Sequence, residues 1–209
     1  LSSFSIPQYQ RAYAWEKEPQ LDAFLDDLRQ QAATRRRNPE KSYFLGTLLL
    51  HDVGGGRTDV VDGQQRLTTS VVFIAAALRE LEEKQVLNAG LLNAKGLRNY
   101  FIYDEIQERQ KFQTIVEDNP CFRSSILGLS NDGASTDSPS SKRLKGAFDF
   151  FRTRVAKDEW ADLVQTLTSA KVMVYSVTNP ADATLIFELQ NDRGKKLTEL
   201  EALKSYLMH

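Results

Sequence analysis

The sequence predicts an α/β (α+β) fold, in which a small mixed sheet carries a large helical elaboration. Two apolar runs at residues 43–51 and 57–62, joined by a segment with three glycines, are typical of a strand hairpin. A long helical pattern follows from residue 64 to about residue 85. The β-branched run at residues 171–178 predicts a strand that returns to the sheet.

The amino-terminal part is predicted to supply one strand and one helix. Residues 3–7 read as a short strand that ends at Pro7, because proline cannot donate to a strand ladder. Apolar residues at helical spacing predict an amphipathic helix from Pro19 to about residue 31. We assign the three arginines at residues 35–37 to a polar link. The glycines at residues 54–56 lack the Lys-Ser/Thr ending of a Walker loop, so we interpret them as a turn.

Helices are predicted to fill most of the remaining chain. The helix that begins at residue 64 has a core-facing side formed by Leu67, Val71, Ile74, Leu78 and Leu81. Residues from about 94 to about 170 lack strand alternation and predict several helices, with a polar loop at residues 130–141. A helix over residues 183–190 is expected to end near Gly194.

Length and composition indicate one globular domain. The 209 residues are enough to bury a sizeable core. We divide them into a core at residues 1–90, a helical elaboration at residues 91–170 and a segment at residues 171–209 that completes the core. Hydrophobic residues make up 41% and charged residues 26%, as is usual for a soluble protein. The formal net charge is −1, so any contact with DNA has to be a local patch.

The cysteine and histidine counts exclude several kinds of site. The single Cys121 excludes a disulfide framework and a multi-cysteine zinc site, and it fits a reducing cytoplasm. His51 and His209 are the only histidines, so a His-metal nuclease of the H-N-H type lacks its ligands. No run approaches the roughly 18 apolar residues of a membrane span, and we expect a cytoplasmic protein with no membrane partner. Because the chain begins at Leu1 rather than at Met, we expect a piece of a longer protein.

The segment at residues 62–66 (Asp-Gly-Gln-Gln-Arg) lies between an apolar strand and a helix start. A strand that turns sharply into a helix brings free N–H groups and the positive end of a helix dipole to one point. Gly63 lets a ligand approach the backbone, and Arg66 offers a planar charged fork to phosphate oxygens. Asp62 is a candidate to hold a divalent metal or to orient a water molecule. The segment is a candidate phosphate site, although Asp-Gly is also a common turn and Gln and Arg are ordinary in an exposed first helical turn.

Two further segments accompany this motif. Residues 4–15 contain the pattern I-P-x-Y-Q-R-x-Y-x-W, and residues 187–197 contain F-x-x-x-N-x-x-G-x-x-L. Together with the Tyr-Phe-Leu-Gly segment at residues 43–46, they resemble the amino-terminal domain of the GmrSD-type restriction endonucleases, whose central motif is D-G-Q-Q-R-L-T. The three patterns occur in the family's order and span nearly the whole chain.

The resemblance implies a ParB/sulfiredoxin-like core that binds and hydrolyses a nucleoside triphosphate. In ParB-like proteins a box ending in Gln-Arg and a second box of the form G-x-x-R clasp a phosphate chain, and residues 9–11 and 63–66 match them. Family members restrict DNA with modified bases or a sulfur-modified backbone, and a separate nuclease domain usually follows. Sulfinic-acid repair is not expected, because Gln64 and Gln65 stand where the sulfiredoxin branch has its catalytic cysteine.

Three overlapping sets of candidate site residues follow. The catalytic candidates, in which Asp62 holds the metal and the glutamines position water, are Asp62, Gln64, Gln65 and Arg66. The candidates for binding the nucleotide phosphates are Gln10, Arg11, Gly63, Arg66, Thr68 and Asn191. The candidates for binding DNA are Tyr9, Gln10 and Arg11, with Tyr9 retained for base stacking in preference to Tyr13 and Trp15.

We therefore expect a nucleoside-triphosphate-hydrolysing sensor domain of a bacterial restriction system. Its expected cofactor is a divalent metal, Mg²⁺ in the first instance, and its expected partners are modified DNA and a nuclease domain in the same full-length chain or in a partner subunit. The main alternative is a module that reads modified DNA without hydrolysis. A third, an autonomous nuclease, is disfavoured by the histidine count. The basic clusters at residues 35–37 and 142–145 are minor candidates for contact with the DNA backbone.

Overall fold

The computed structural model describes residues 3–83, 94–130 and 138–178. Its strands are β1 (Ser3–Ser5), β2 (Phe44–Gly54), β3 (Arg57–Asp62), β4 (Tyr103–Asp104), β5 (Arg109–Gln110), β6 (Phe112–Gln113) and β7 (Lys171–Val177). Its helices are α1 (Asp22–Arg37), α2 (Gln64–Glu83), α3 (Ala94–Phe101), α4 (Asn119–Cys121), α5 (Pro139–Arg154) and α6 (Trp160–Thr168). The predicted α/β fold with a small mixed sheet is confirmed.

The main sheet has the strand order β6-β1-β3-β2-β7, with β3 at its centre. Strands β2 and β3 form the predicted antiparallel hairpin, and the glycines at residues 54–56 make its turn with φ values of 80°, 61° and 72°. Strand β1 runs parallel to β3, and β7 runs parallel to β2. A separate two-stranded sheet contains β4 and β5.

Helix α2 is the centre of the hydrophobic core. Every residue from 71 to 78 is buried, and Leu50 and Val60 of the sheet belong to the same cluster. Helices α3, α5 and α6 contact α2 as well. The sequence predicted that only one side of α2 faces the core. In the structure this part of α2 is buried on all sides, as is usual for a helix with apolar residues around its whole circumference. Its rigid burial fixes the position of its first turn.

Helix α1 differs from its prediction at both ends. It begins at Asp22 rather than at Pro19, because Glu18 has an extended backbone (φ −117°, ψ 132°) and an irregular turn, Lys17–Leu21, precedes the helix. It continues to Arg37, so the assignment of residues 35–37 to a link was wrong. Positive side chains are favourable at a helix carboxyl end. Arg35 and Arg36 both form ion pairs with Asp162, which reduces their availability for a DNA backbone.

The region expected to be purely helical contains strands. β6 pairs with β1 at one edge of the main sheet, and β4 pairs with β5. Strands β4, β5 and β6 have two residues each, too few to show the alternation on which a strand prediction depends. The predicted loop at residues 130–141 is wrong at its end, because α5 begins at Pro139 with Ser138 as its cap. Residues 131–137 and the predicted helix over 183–190 lie outside the described residues.

None of the helices in the described ranges combines the length and the apolar character that crossing a membrane requires.

Candidate functional site

Strand directions bring three separate segments to one edge of the sheet. Because β1 and β3 are parallel, their carboxyl ends meet there, and β1 leads into residues 6–11 while β3 leads into residues 62–66. Strand β2 is antiparallel to β3, so its first residues, Phe44 to Thr47, lie at the same edge. Segments more than 50 positions apart in the chain therefore adjoin one another.

These segments enclose a cavity of about 930 Å³, which we call the arginine cavity. Its volume lies in the usual range for a small-molecule site, about 300–1,000 Å³. The residues that line it come from the three segments and from Trp15, and they are Gln10, Arg11, Trp15, Phe44, Gly46, Thr47, Asp62, Gly63, Gln64, Gln65 and Arg66. Two arginines from distant parts of the sequence thus share one cavity.

Gly63 forms the turn from β3 into α2. Its φ is +83°, and a Cβ on it would lie 2.5 Å from Leu48 Cδ2 and 2.7 Å from the Thr47 carbonyl oxygen. The Gly63 carbonyl accepts a hydrogen bond from Leu67 N at 3.0 Å, which begins the helix. The N–H groups of the first turn have no acceptor within their own helix, and the helix dipole places partial positive charge at this end. The turn is thus suited to an anion.

Arg66 is exposed and is held at the cavity by a β-bulge in β2. Phe44 pairs with Lys171 and Gly46 with Val172, so Leu45 is the extra residue of the bulge. Its carbonyl oxygen accepts a hydrogen bond from Arg66 Nη1 at 2.8 Å. A guanidinium group has five N–H donors, and this bond uses one of them. No further hydrogen bond of this group is made to the part of the chain that the structure describes, which leaves donors for a ligand.

Tyr43 lies behind Arg66 and is kept neutral. Its hydroxyl donates to Asp27 Oδ2 at 2.7 Å. Burial is the main cause that raises the pKa of the Tyr43 phenol, and the hydrogen bond and charge of Asp27 add to it. The positive charge of Arg66 acts in the opposite direction. The phenol therefore stays a hydrogen-bond donor throughout the physiological pH range and helps fix the start of β2.

The two glutamines of the motif join α2 to the loop that carries Arg11. Gln64 Nε2 donates to Gln10 Oε1 at 2.9 Å, and Gln10 Nε2 donates to the Val61 carbonyl at 2.8 Å. The amide of Gln65 accepts from Ala14 N at 2.9 Å and donates to the Ala12 carbonyl at 3.2 Å.

Arg11 lies between the bonded residues, so both amides position it. Only 8% of Gln64 and of Gln65 is exposed. The assignment of the glutamines as water positioners stays a prediction; their observed partners are protein groups.

Replacing Gln65 is expected to loosen the Arg11 loop. The substitution Gln65→Leu keeps the volume of the side chain but leaves Ala14 N–H and the Ala12 carbonyl without their partner, which costs about 1–3 kcal/mol. Urea unfolding of the variant measures this loss. The matched control is Gln107→Leu, at an exposed glutamine. Equal unfolding free energies for the two variants would contradict the role of Gln65.

The structure does not bring every predicted residue to the cavity. The hydroxyl of Thr68, which is buried, donates to the Gln64 carbonyl at 2.7 Å, so it is used within the helix. Tyr9 is 70% exposed and lies near Asp59; partial burial and then the Asp59 charge raise the pKa of its phenol. Tyr13 is buried, with its hydroxyl 2.8 Å from that of Thr69. Asn191 lies outside the described residues.

Four cavity residues were not predicted as site residues: Trp15, Phe44, Gly46 and Thr47. Trp15 was set aside in favour of Tyr9, although it lies on the same loop as Arg11. The others belong to β2, which the sequence indicates only as a strand. The predicted hairpin could have indicated them, because in an antiparallel pair the first residues of β2 must lie beside the last residues of β3.

Asp62, which is partly buried, supplies a carboxylate to the arginine cavity. Within residues 3–83, 94–130 and 138–178 there is no group of three or more His, Cys, Asp or Glu side chains that could hold a metal. Mg²⁺ is commonly held by one or two carboxylates together with substrate phosphates and water. A single aspartate in this cavity therefore fits Mg²⁺ that arrives with a phosphate ligand, and does not fit a resident metal held by the described protein ligands alone.

Comparisons with known proteins support the family resemblance. The sequence model of the family described as GmrSD restriction endonuclease, N-terminal domain, matches residues 1–208. No curated protein matches the chain. The match covers the motif at residues 62–66, the loop with Arg11 and the strand hairpin between them. The chain therefore belongs to the family of GmrSD restriction endonuclease N-terminal domains and is part of a restriction system.

Proposed function

We propose that this domain binds and hydrolyses a nucleoside triphosphate in the arginine cavity. The observation that carries the proposal is that Arg11 and Arg66 line the same cavity as the first turn of α2. Two permanent positive charges and a helix amino terminus together form a cradle for a chain of phosphate oxygens. The formal net charge of the chain is −1, so the cradle is a local feature and not part of a general positive field.

The residues divide into those that bind and those that position. In our proposal the N–H groups of the first turn of α2 and the guanidinium group of Arg66 hold the phosphate oxygens. Arg11 stabilises the charge that develops as the terminal phosphoryl group leaves. Gln10, Gln64 and Gln65 keep Arg11 at the cavity through the hydrogen bonds that link the loop to α2. Such preorganised donors act on the transition state without reorganising during the reaction.

Asp62 completes the site as the group that holds a divalent metal or orients the attacking water. Asp62, together with the phosphates of the ligand, would hold Mg²⁺, which would supply positive charge to offset the charge on the phosphate oxygens. The Asp62 carboxylate lies on the same turn as Gly63, and both residues line the cavity. The space beside the Gly63 Cα is filled by Leu48 and the Thr47 carbonyl, so the glycine there permits close packing of β2 and not the approach of a ligand that the sequence had suggested. Among the described residues that line the cavity, the charged ones are Asp62, Arg11 and Arg66, so their summed charge is positive.

We propose that nucleotide hydrolysis in this domain controls other parts of a restriction system. Membership of a restriction endonuclease family supports a link to nuclease activity, and we propose that the nuclease domain lies elsewhere in the full-length chain or in a partner subunit. Recognition of modified DNA would then be coupled to hydrolysis, and hydrolysis to cleavage. We also propose that the protein acts in the cytoplasm, where both DNA and nucleotides are available.

A second candidate function is a module that reads modified DNA without hydrolysis. It is favoured by Tyr9, whose ring is 70% exposed next to Gln10 and Arg11. An exposed aromatic ring is suited to stacking on an unstacked base. Tight DNA binding without phosphate release, lost when Tyr9 is replaced by alanine, would favour this function over the first.

The test is phosphate release from the four common nucleoside triphosphates, with and without modified DNA. We expect release that needs Mg²⁺, stops with excess EDTA and falls about 10²-fold in Asp62→Asn, by analogy with the loss of a single charge-stabilising group. Asp158→Asn, at an exposed aspartate that does not line the cavity, is the matched control and should keep full activity. Full activity in Asp62→Asn, or no release under any condition, would remove the proposal.

A further inference from the structure

Phe44 has an unusual position for a large apolar side chain. It is 55% exposed and lines the arginine cavity, whose other walls carry Arg11, Arg66 and Asp62. An isolated exposed phenylalanine needs no explanation. One that faces a cationic cavity differs, because water that solvates the charges must also cover the ring.

The backbone around Phe44 is held on both sides. Lys171 N donates to the Tyr43 carbonyl at 2.7 Å, and Arg66 Nη1 donates to the Leu45 carbonyl at 2.8 Å. Phe44 itself pairs with Lys171 in the ladder between β2 and β7. The ring therefore projects from a fixed segment, one residue from the carbonyl that anchors Arg66. A rigid aromatic side chain with two χ angles loses little conformational entropy when a ligand packs against it.

We propose that Phe44 is the base-stacking residue of the arginine cavity. Its ring packs against the nucleobase of a ligand whose phosphates are held by Arg66, Arg11 and the amino terminus of α2. The inference rests on the proposed function for the phosphate end of the ligand. A free nucleotide and a DNA strand both contain a base and phosphate groups. The experiment therefore tests each of these two ligands separately.

The cavity supplies the other requirements of such a ligand. Its volume of about 930 Å³ leaves room for a base beside a phosphate chain. The amides of Gln10, Gln64 and Gln65, which could otherwise read the edge of a base, are used in hydrogen bonds with protein groups. Among the described residues of the cavity, these amides are therefore occupied, and stacking on the exposed Phe44 ring is a source of affinity for the base that needs no hydrogen bond.

The decisive measurement compares a nucleoside triphosphate with inorganic tripolyphosphate, which has the phosphates and no base. We expect Phe44→Ala to weaken nucleotide binding by about 10-fold to 100-fold and to leave tripolyphosphate binding within about 2-fold, since the energy lost is that of the base alone. Phe44→Trp should restore nucleotide binding. Arg66→Ala should weaken the binding of both ligands. Ile106→Ala, at a 90% exposed residue outside the cavity, is the matched control.

The outcomes separate this inference from the proposed function. If Phe44→Ala weakens both ligands equally, or neither, stacking is overturned while the nucleotide site stands. If the wild-type domain binds neither ligand, the proposed function fails, and a single-stranded oligonucleotide decides the inference. A loss of oligonucleotide binding in Phe44→Ala that Phe44→Trp restores would assign the stacked base to DNA; unchanged binding would overturn the inference.

Discussion

Arg66→Ala is expected to lower phosphate release by about 10²-fold to 10³-fold, the loss seen when one charge-stabilising donor is removed from comparable sites. Arg66 lines the arginine cavity beside the first turn of α2, and its side chain is exposed. Its hydrogen bond to the Leu45 carbonyl positions the guanidinium group rather than stabilising the core. The variant should therefore fold with a nearly unchanged thermal midpoint. Single-turnover and steady-state phosphate release measure the effect.

Two companion variants make the result specific. Arg66→Lys keeps the charge but loses the planar fork, so its activity should lie between the wild type and Arg66→Ala. Arg37→Ala removes an exposed arginine at the end of α1, away from the cavity lining, and should keep full activity. If Arg66 acts mainly on the transition state, kcat falls with kcat/KM; a rise in KM alone would show that it binds the ground state and transition state equally. Full activity in Arg66→Ala would contradict its role in the site.

The turn at residues 62–66 could be predicted because its signals are local. An apolar strand, an Asp-Gly pair and a helical pattern follow one another directly in the sequence, and the structure has β3, Gly63 and α2 there. The same holds for the hairpin and for β7, whose runs are long enough to show their pattern. Local chemistry therefore predicted the position of this turn and of the candidate phosphate site on it.

The composition of the cavity wall could not be predicted in the same way. The approach of Arg11 to Arg66 depends on the parallel pairing of β1 with β3, a contact between residues more than 50 positions apart. No local pattern encodes which strands pair. The roles of Gln64 and Gln65 depend on the backbone of residues 12–14, which has no sequence signal of its own. Local patterns gave no reason to bring residues 9–11 and residues 63–66 together; the family resemblance did.

The place of Phe44 illustrates the limit most clearly. Phe44 lies in the apolar run at residues 43–51, and a phenylalanine in such a run is more often buried than exposed. It is 55% exposed because β2 starts at the sheet edge where the cavity opens and because the bulge at Leu45 changes the register there. Bulges add one residue to a strand and often occur next to active sites. The exposure thus follows from tertiary structure and not from the residue type.

The substitution Gly46→Ala is expected to reduce activity almost as far as the loss of Arg66 itself. Gly46 has a φ of +132°, and a Cβ on it would lie 2.1 Å from Arg66 Nη1. The methyl group and the guanidinium group cannot share that space, so Arg66 must leave its contact with the Leu45 carbonyl. The unfavourable backbone conformation adds a cost in stability of about 1–3 kcal/mol. Activity and urea unfolding are both measured, because the two effects have separate readouts.

A double variant distinguishes displacement of Arg66 from general damage to the fold. Gly46→Ala displaces the guanidinium group that Arg66→Ala removes, so the double variant should lower activity no further than Arg66→Ala alone. Gly146→Ala is the matched control: a Cβ there meets nothing within 4 Å, and alanine is preferred to glycine inside a helix such as α5. If the effects of the two cavity variants multiply, then Gly46 acts independently of Arg66 and the bulge is not what holds the guanidinium group in place.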